Sequence, residues 1–293
     1  MNQPRIGFIG VGLMGYGMAR NLIEKGFPLT VMANRNRKPV EDLVGRGAKE
    51  AATPRDLAAN VDVVILCVTS SAVVEQVVLG TDGIVESARP DLCVIDASTA
   101  SPESTVMIAD KLAEKGAVML DAPLARTPKE ALEGRLNTMV GGDEALFERM
   151  KPVFAAYCEN IVYIGALGSG HKLKLINNYL SLCNAALVAE AVTVAEAAGV
   201  DLQKLNDVVS VGGANSGMFQ MIMPRVLRGE PGGPQFTLSN AAKDLGYFQA
   251  MAEGVGRTPP VGAAARDVFA SLVALGEKDR VVPELYDLMK AGA

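Results

Sequence analysis

Residues 5–25 read RIGFIGVGLMGYGMARNLIEK, and this stretch decides the fold. Arg5–Gly10 is a short, mostly apolar run of the kind that makes a buried strand, and Met14–Lys25 reads as a helix. Between them Gly10, Gly12 and Gly15 form a G-x-G-x-x-G pattern. At a strand-to-helix junction the first glycine permits a tight turn and the second lets backbone approach a pyrophosphate. The third lets the helix pack on the strand. The helix would then aim its first N–H groups at the phosphates. A dinucleotide site at the start of the chain is the expectation.

Outward from that unit, further strands are expected at Leu29–Ala33, Val63–Val68, Leu92–Asp96, Ala117–Asp121, Asn137–Val140 and Ile161–Tyr163. Helices are expected at Pro39–Arg46, Ala72–Leu79 and Ser101–Lys115. Several of the strands are continuous apolar runs, as in a parallel sheet covered on both faces. The alternation predicts an α/β fold class, with a doubly wound Rossmann domain over residues 1–165. From Lys172 onward only helical patterns remain, broken at Gly199–Asp201, Gly212–Gly213, Arg228–Pro234, Gly254–Pro260 and Gly276–Arg280. Residues 166–293 are therefore expected to form an all-α domain, entered through a helix beginning near Gly168. Asp201 and Thr258 read as N-caps, and Pro259 and Pro260 suit a helix entry. The apolar stretch Leu180–Val200 carries Asn184, Glu190 and Glu196, which favours a central buried helix over a membrane span.

Composition narrows the function. The chain has 293 residues, 49% of them hydrophobic, which excludes global disorder and suits one large domain or two of ordinary size. A net charge of −5 leaves no basic surplus for the phosphates of a nucleic acid. Cys67, Cys93, Cys158 and Cys183 are widely spaced and His171 is the single histidine, so no metal site is expected. Such cysteines suit free thiols in a reducing cytoplasm. The first apolar run is punctuated by glycine and lacks the layout of a secretory signal. The expectation is a cytoplasmic protein with no membrane partner.

The second strand ends in ANRNR, residues 33–37, without the carboxylate that binds a free ribose 2′-hydroxyl. In the loop of Asn34, Arg35 and Arg37, the two guanidinium groups could clasp a 2′-phosphate. NADP is therefore the expected cofactor, with NAD as the alternative and a merely solvated basic loop as the rival reading.

Five blocks in order resemble the β-hydroxyacid dehydrogenases, a family that includes 3-hydroxyisobutyrate dehydrogenase and tartronate semialdehyde reductase and is related to 6-phosphogluconate dehydrogenase. They are GVGLMG (10–15) with MARNL (18–22), DAST (96–99), DAP (121–123) with GG (141–142), GSGHKLKLINN (168–178) and FTLSNAAKDL (236–245). The resemblance implies that Lys174 is the general acid/base. Spacing alone puts Gly170, Lys174 and Asn178 on one helix face. Asn178 would hydrogen-bond the substrate or orient Lys174, with Asn177 the adjacent alternative. The resemblance further assigns Ser98 and Thr99 to the nicotinamide side, Leu13, Met14 and Val68 to the dinucleotide lining, and Lys243 to a contact reaching the cofactor from the second domain. His171 stands where many relatives have Gln and is read as structural.

One departure bears on the substrate. Most relatives follow D-x-P-x with S-G-G, which holds a substrate carboxylate, whereas here Ala125, Arg126 and Thr127 stand there. A G-R-T version of this loop resembles that of sulfolactaldehyde reductases, whose substrate carries a sulfonate, although Ala125 replaces their glycine. Arg126 could instead point to solvent or pair with Glu130.

The resemblance thus implies an NAD(P)-dependent reductase acting on a small anionic aldehyde or the matching hydroxy acid, in a cleft between two domains. Arg126, Thr127 and Asn178 would grip the substrate, and a homodimer or homotetramer is expected. The alternatives are a carboxylate-specific tartronate semialdehyde or 3-hydroxyisobutyrate enzyme and, more remotely, a non-catalytic dinucleotide-sensing protein.

Overall fold

In a computed structural model that describes residues 3–231, 233 and 235–292, contacts divide the chain into two units. One extends through Lys174 and the other begins at Leu175. The first unit carries strands β1 Ile6–Ile9, β2 Leu29–Met32, β3 Lys49–Ala51, β4 Val63–Leu66, β5 Cys93–Asp96, β6 Val118–Asp121, β7 Leu124–Ala125, β8 Leu136–Gly141 and β9 Cys158–Gly165. They make one sheet in the order β3-β2-β1-β4-β5-β6-β8-β7, with β9 paired to β8. The first six strands pair in parallel, and β8 runs antiparallel to β6 and β7.

Every residue of β1, β4 and β5 is buried, which is why these strands read as unbroken apolar runs. Alternate residues feed opposite faces: Val63 and Ile65 join a core with Phe8, Met18 and Phe154, while Val64 and Leu66 join one with Leu57, Val78 and Leu112. Strand order reverses between β1 and β4, so the turns after these two strands border a switch point, where open α/β sheets bind ligands.

The helices of this unit are α1 Gly15–Glu24, α2 Lys38–Gly45, α3 Pro54–Ala59, α4 Ser71–Leu79, α5 Pro102–Ala113, α6 Pro128–Glu133 and α7 Glu144–Phe154. Thr53, Ser70 and Asp143 cap α3, α4 and α7 through side-chain acceptors. The expected strands and helices are all present with ends shifted by a few residues. The short strands β3 and β7 and helices α3, α6 and α7 are additional.

The remaining helices are α8 Ser169–Ala197, α9 Leu202–Ser210, α10 Gly217–Arg228, α11 Leu238–Gly254, α12 Pro260–Ala274 and α13 Leu285–Lys290. The expected breaks fall at helix ends, with Gly232 and Pro234 lying outside the described residues. Beyond Lys172 the described residues form no strand, and one isolated bridge joins Thr237 to Val281. Asp201 caps α9, accepting from the N–H groups of Gln203 and Lys204.

Two expectations need correction. Thr258 does not cap α12; Pro259 holds the cap position without a side-chain bond, and Pro260 follows with its φ already set for a helix. Nor is Leu180–Val200 a centrally buried helix. Leu182, Ala185, Ala189 and Val192 pack with Phe219, Ile222, Leu245 and Phe269, while Leu180, Leu187 and Val194 are 58%, 64% and 62% exposed. A helix apolar on all sides does not reveal which face its neighbours cover.

Candidate active site

The turn after β1 gives each glycine of the GVGLMG block a separate reason. Gly10 has φ +103°, and a Cβ there would lie 2.2 Å from the Cys67 carbonyl oxygen. A Cβ on Gly15 would lie 2.0 Å from the Gly10 carbonyl oxygen, whereas one on Gly12 would meet nothing within 4 Å. Gly10 and Gly15 thus close the turn on itself, and Gly12 faces open space. No side chain caps α1, and of its first N–H groups that of Tyr16 donates to the Gly12 carbonyl at 3.0 Å, which leaves the start of the helix as an electropositive end for an anion. A backbone cradle open at its second glycine fits a dinucleotide pyrophosphate. Leu13 is exposed beside it, and Met14 and Val68 are half-buried.

The turns after β4 and β5 are tied together. Val68 N–H donates to Ser98 Oγ at 3.0 Å, and Ser98 N–H donates to Asp96 Oδ1 at 2.9 Å. Ser98 is buried and Thr99 half-buried at this junction. After β2, Asn34, Arg35 and Arg37 are all exposed, but the two arginines differ. Arg37 pairs with Glu50 at 3.1 Å and Glu41 at 3.7 Å, while among the described residues Arg35 has no ion pair.

The entry of α8 rests on a buried carboxylate. Asp121, at the end of β6, accepts from the N–H groups of Gly168 and His171, both at 2.7 Å. A negative charge there complements the helix dipole. A Cβ on Gly170 would lie 2.3 Å from the Met139 carbonyl oxygen, and one on Gly141 2.5 Å from Asp121 Oδ1. The glycines of the GG and GSG blocks therefore let the first turn of α8 press against β6 and β8. One turn further along α8 comes Lys174, half-buried.

Asn178, a turn beyond Lys174, is buried and donates from Nδ2 to Asp244 Oδ2 at 2.7 Å. Asn177 is exposed and donates to Asn178 Oδ1 at 3.3 Å, so the two asparagines are not equivalent. Lys243 is half-buried, with Nζ 3.1 Å from Asp244 Oδ1 and 5.4 Å from the Tyr247 ring centroid. The Lys243–Asp244 pair is not an exposed one, because Asp244 is buried.

The loop after β7 differs from expectation. Arg126 has φ +84°, a left-handed backbone at a position where the relatives' S-G-G supplies glycine. Its Nη1 donates to the Arg135 carbonyl and to the Glu159 carboxylate, which lowers the Glu159 carboxyl below the ordinary range. Glu130 is not its partner. Glu130 instead accepts from the Thr127 N–H at 3.0 Å and from the Thr127 hydroxyl, closing a capping box at the start of α6. The TPKE sequence at 127–130 carries that signature and was the signal available for Thr127. Ala125 pairs with Asn137 of β8. Both polar side chains of the loop are thus engaged within the protein. Asp121, Asp244 and Glu159 were not assigned roles by the sequence.

Cys67 is no nucleophile at neutral pH: burial, assisted by Asp96, pushes its thiol up to about 12, and burial alone does the same for Cys93.

Residues 5–165 match the NAD binding domain of 6-phosphogluconate dehydrogenase, and residues 168–289 the NAD-binding region of NADP-dependent 3-hydroxyisobutyrate dehydrogenase. The chain is 35% identical over 272 residues to 3-sulfolactaldehyde reductase of Escherichia coli (strain K12), covering 92% of this chain and 91% of that protein. Its fold matches a 3-hydroxyisobutyrate dehydrogenase of Mycobacterium tuberculosis, solved with L-serine, at a TM-score of 0.88 and 27% identity over 99% of this chain and 100% of that one. A crystal structure of 3-hydroxyisobutyrate dehydrogenase from Salmonella typhimurium matches at 0.84 and 31% identity, covering 97% of this chain and 99% of that one. The glycine cradle and these matches define an NAD(P)-dependent dehydrogenase acting on a CH–OH group. The chain belongs to the β-hydroxyacid dehydrogenases, the family of 3-hydroxyisobutyrate and 6-phosphogluconate dehydrogenases.

Proposed function

We propose that this dehydrogenase reduces a small aldehyde bearing an anionic group, a sulfonate in the first instance, with NADPH as reductant and Lys174 as proton donor. The observation that carries the reading is the entry of α8. A buried carboxylate and two glycine approaches fix the turn ahead of Lys174, a costly arrangement for a lysine with only a solvated role.

When bound, the nicotinamide supplies the hydride. Gly10, Gly12 and Gly15 would hold its pyrophosphate, Leu13, Met14 and Val68 would line it, and Ser98 and Thr99 would orient its reactive end. Lys174 gives its proton to the developing alkoxide. Asn178, with its amide orientation fixed by Asp244, has a second N–H for the substrate or for Lys174; Asn177 shares its carbonyl. Arg35, without an ion pair among the described residues, takes the 2′-phosphate. Arg37 would have to leave Glu50 to help.

Arg126 reads the substrate anion by exchanging partners. Its pair with Glu159 is partly exposed, at 27% and 44% of the two side chains, and solvent weakens such pairs. A sulfonate bonded through two guanidinium nitrogens makes two charge-assisted bonds where Glu159 accepts one from Nη1, and so displaces the carboxylate. Thr127 and Ala125 shape the same loop. The 35% identity to a 3-sulfolactaldehyde reductase supports the sulfonate. The likeness to a 3-hydroxyisobutyrate dehydrogenase solved with L-serine supports the second reading, a carboxylate-bearing substrate. The exposed apolar row of Leu180, Leu187 and Val194 supports a homodimer or homotetramer.

The test follows cofactor absorbance with NADPH and NADH against a panel of anionic and uncharged aldehydes. Turnover of the anionic members, fastest with NADPH, is expected. Uncharged aldehydes reduced as well as charged ones would end the reading.

A further inference from the structure

Helix α1 carries more than the glycine cradle at its start. Further along it, Asn21 is buried. Its side-chain nitrogen lies 2.8 Å from the Gly17 carbonyl oxygen, 2.9 Å from that of Ala131 and 3.2 Å from that of Leu132. A carbonyl oxygen only accepts, so the amide meets all three with its nitrogen end. Gly17 stands on the same helix face one turn earlier. A Cβ there would lie 2.5 Å from the Ala131 carbonyl carbon, so α6 reaches the backbone of α1 itself. Ala131 and Leu132 lie in the last turn of α6, where carbonyls run out of helical donors. Asn21 supplies donors to both.

The turn that follows supports the Arg126 guanidinium. Gly134 ends α6 in the left-handed conformation, with φ +69°, and a Cβ on it would lie 2.9 Å from Asn21 Oδ1. The Arg135 N–H closes back on the Glu130 carbonyl at 2.9 Å, as in helix ends built on a glycine. From this turn the Arg135 carbonyl accepts from Arg126 Nη1. The Arg135 guanidinium stands 3.6 Å from Glu159, the carboxylate that Arg126 also holds. The Thr127–Glu130 box fixes the other end of α6. Arg126 therefore depends on two anchors. One is local, and the other comes from Asn21, 110 residues from Ala131 in sequence.

We propose that Asn21 is a positioning residue for the Arg126 guanidinium. By holding the carboxyl end of α6 on α1 it places the Arg135 carbonyl against Nη1. It thereby sets how well the enzyme separates anionic from uncharged aldehydes. The helix that begins at the cofactor cradle then also carries the substrate loop. The role rests on Arg126 reading the substrate anion; the tie of α6 to α1 does not.

The quantity to follow is the ratio of kcat/KM for sulfolactaldehyde to that for an uncharged aldehyde of similar size, with NADPH. Asn21→Leu keeps the volume and removes the donors. It should lower the ratio about fivefold, short of the loss from Arg126→Ala, and leave KM for NADPH within about twofold. Gly134→Ala strains the same contact from the α6 side and should lower the ratio as well, which keeps the test decisive if Asn21→Leu folds poorly. In an Arg126→Ala background neither substitution should lower the ratio further, because both act through the guanidinium. An equal fall for the two aldehydes, or a raised KM for NADPH in place of a lowered ratio, would overturn the positioning role. If Arg126→Ala itself leaves the ratio unchanged, the anion reading falls and this role with it. If Arg126→Ala lowers the ratio while Asn21→Leu and Gly134→Ala do not, the positioning role alone falls.

Discussion

Two turns at the carboxyl ends of strands, one after β1 and one after β7, handle the same problem in opposite ways. After β1 the left-handed position is a glycine, the close approaches are made by glycines, and the helix that follows is uncapped. After β7 the left-handed position is Arg126, and both polar side chains of the loop already have an internal partner. A turn that meets an unvarying pyrophosphate can be built open, with its donors waiting. On the proposed reading, the loop that chooses among substrates is built closed, and the ligand would have to compete with Glu159 for the guanidinium. Selectivity then lies in the competition as much as in the contact.

On the proposed reading, Lys174→Ala removes the proton donor and leaves both turns intact, so it sets the scale. It should cost about 10²–10⁴-fold in kcat with little change in cofactor affinity, measured by single-turnover kinetics and cofactor titration. Near wild-type turnover would remove this lysine from the mechanism.

Within the open turn, Gly12→Ala should raise KM for the cofactor by at least about tenfold through lost backbone approach, with little change in Tm. Gly10→Ala forces a side chain into the left-handed region against a carbonyl, and should cost about 1–3 kcal/mol in a denaturant melt. Similar behaviour of the two variants would show that the glycines act as one unit and that Gly12 is not the open position.

Arg35→Ala should reduce the preference for NADPH over NADH by about tenfold, from loss of a charge-assisted bond, and Arg37→Ala by less because Glu50 holds it. The reverse order would mean that Arg37 leaves its carboxylate. Glu159→Gln gives the smallest change. By weakening the competitor it should lower KM for an anionic aldehyde by about fivefold at most, the worth of an exposed pair. A rise in KM would assign Glu159 to holding the loop in its binding shape.

The legible parts of the molecule are those whose cause is local. Unbroken runs such as VVIL of β4 and the spacing of three glycines carry their meaning within a few residues. Strand β3 did not announce itself because two of its three residues, Lys49 and Glu50, are exposed and charged. The TPKE box is equally local, but Thr127 also lies in the loop that resembles a substrate-binding one, so two roles compete for the same hydroxyl. Partners fixed by strand order or helix packing have no local signal. Glu159 is 33 residues from Arg126, Asp244 is 66 from Asn178, and Thr105 is 66 from His171. The exposed face of α8 belongs to the same class, since it depends on which helices cover the other side.

The central claim, that Arg126 gives up Glu159 to read the substrate anion, is tested by comparing kcat/KM for unmutated enzyme and Arg126→Ala. The substrates are sulfolactaldehyde, tartronate semialdehyde and an uncharged aldehyde of similar size. Loss of bonds worth about 1.5–3 kcal/mol each predicts at least a tenfold drop for the two anions, little change for the uncharged aldehyde, and sulfolactaldehyde the best substrate of the unmutated enzyme. An equal drop for all three would contradict it, leaving Arg126 as a support of its loop, and a higher kcat/KM for tartronate semialdehyde would end the sulfonate assignment.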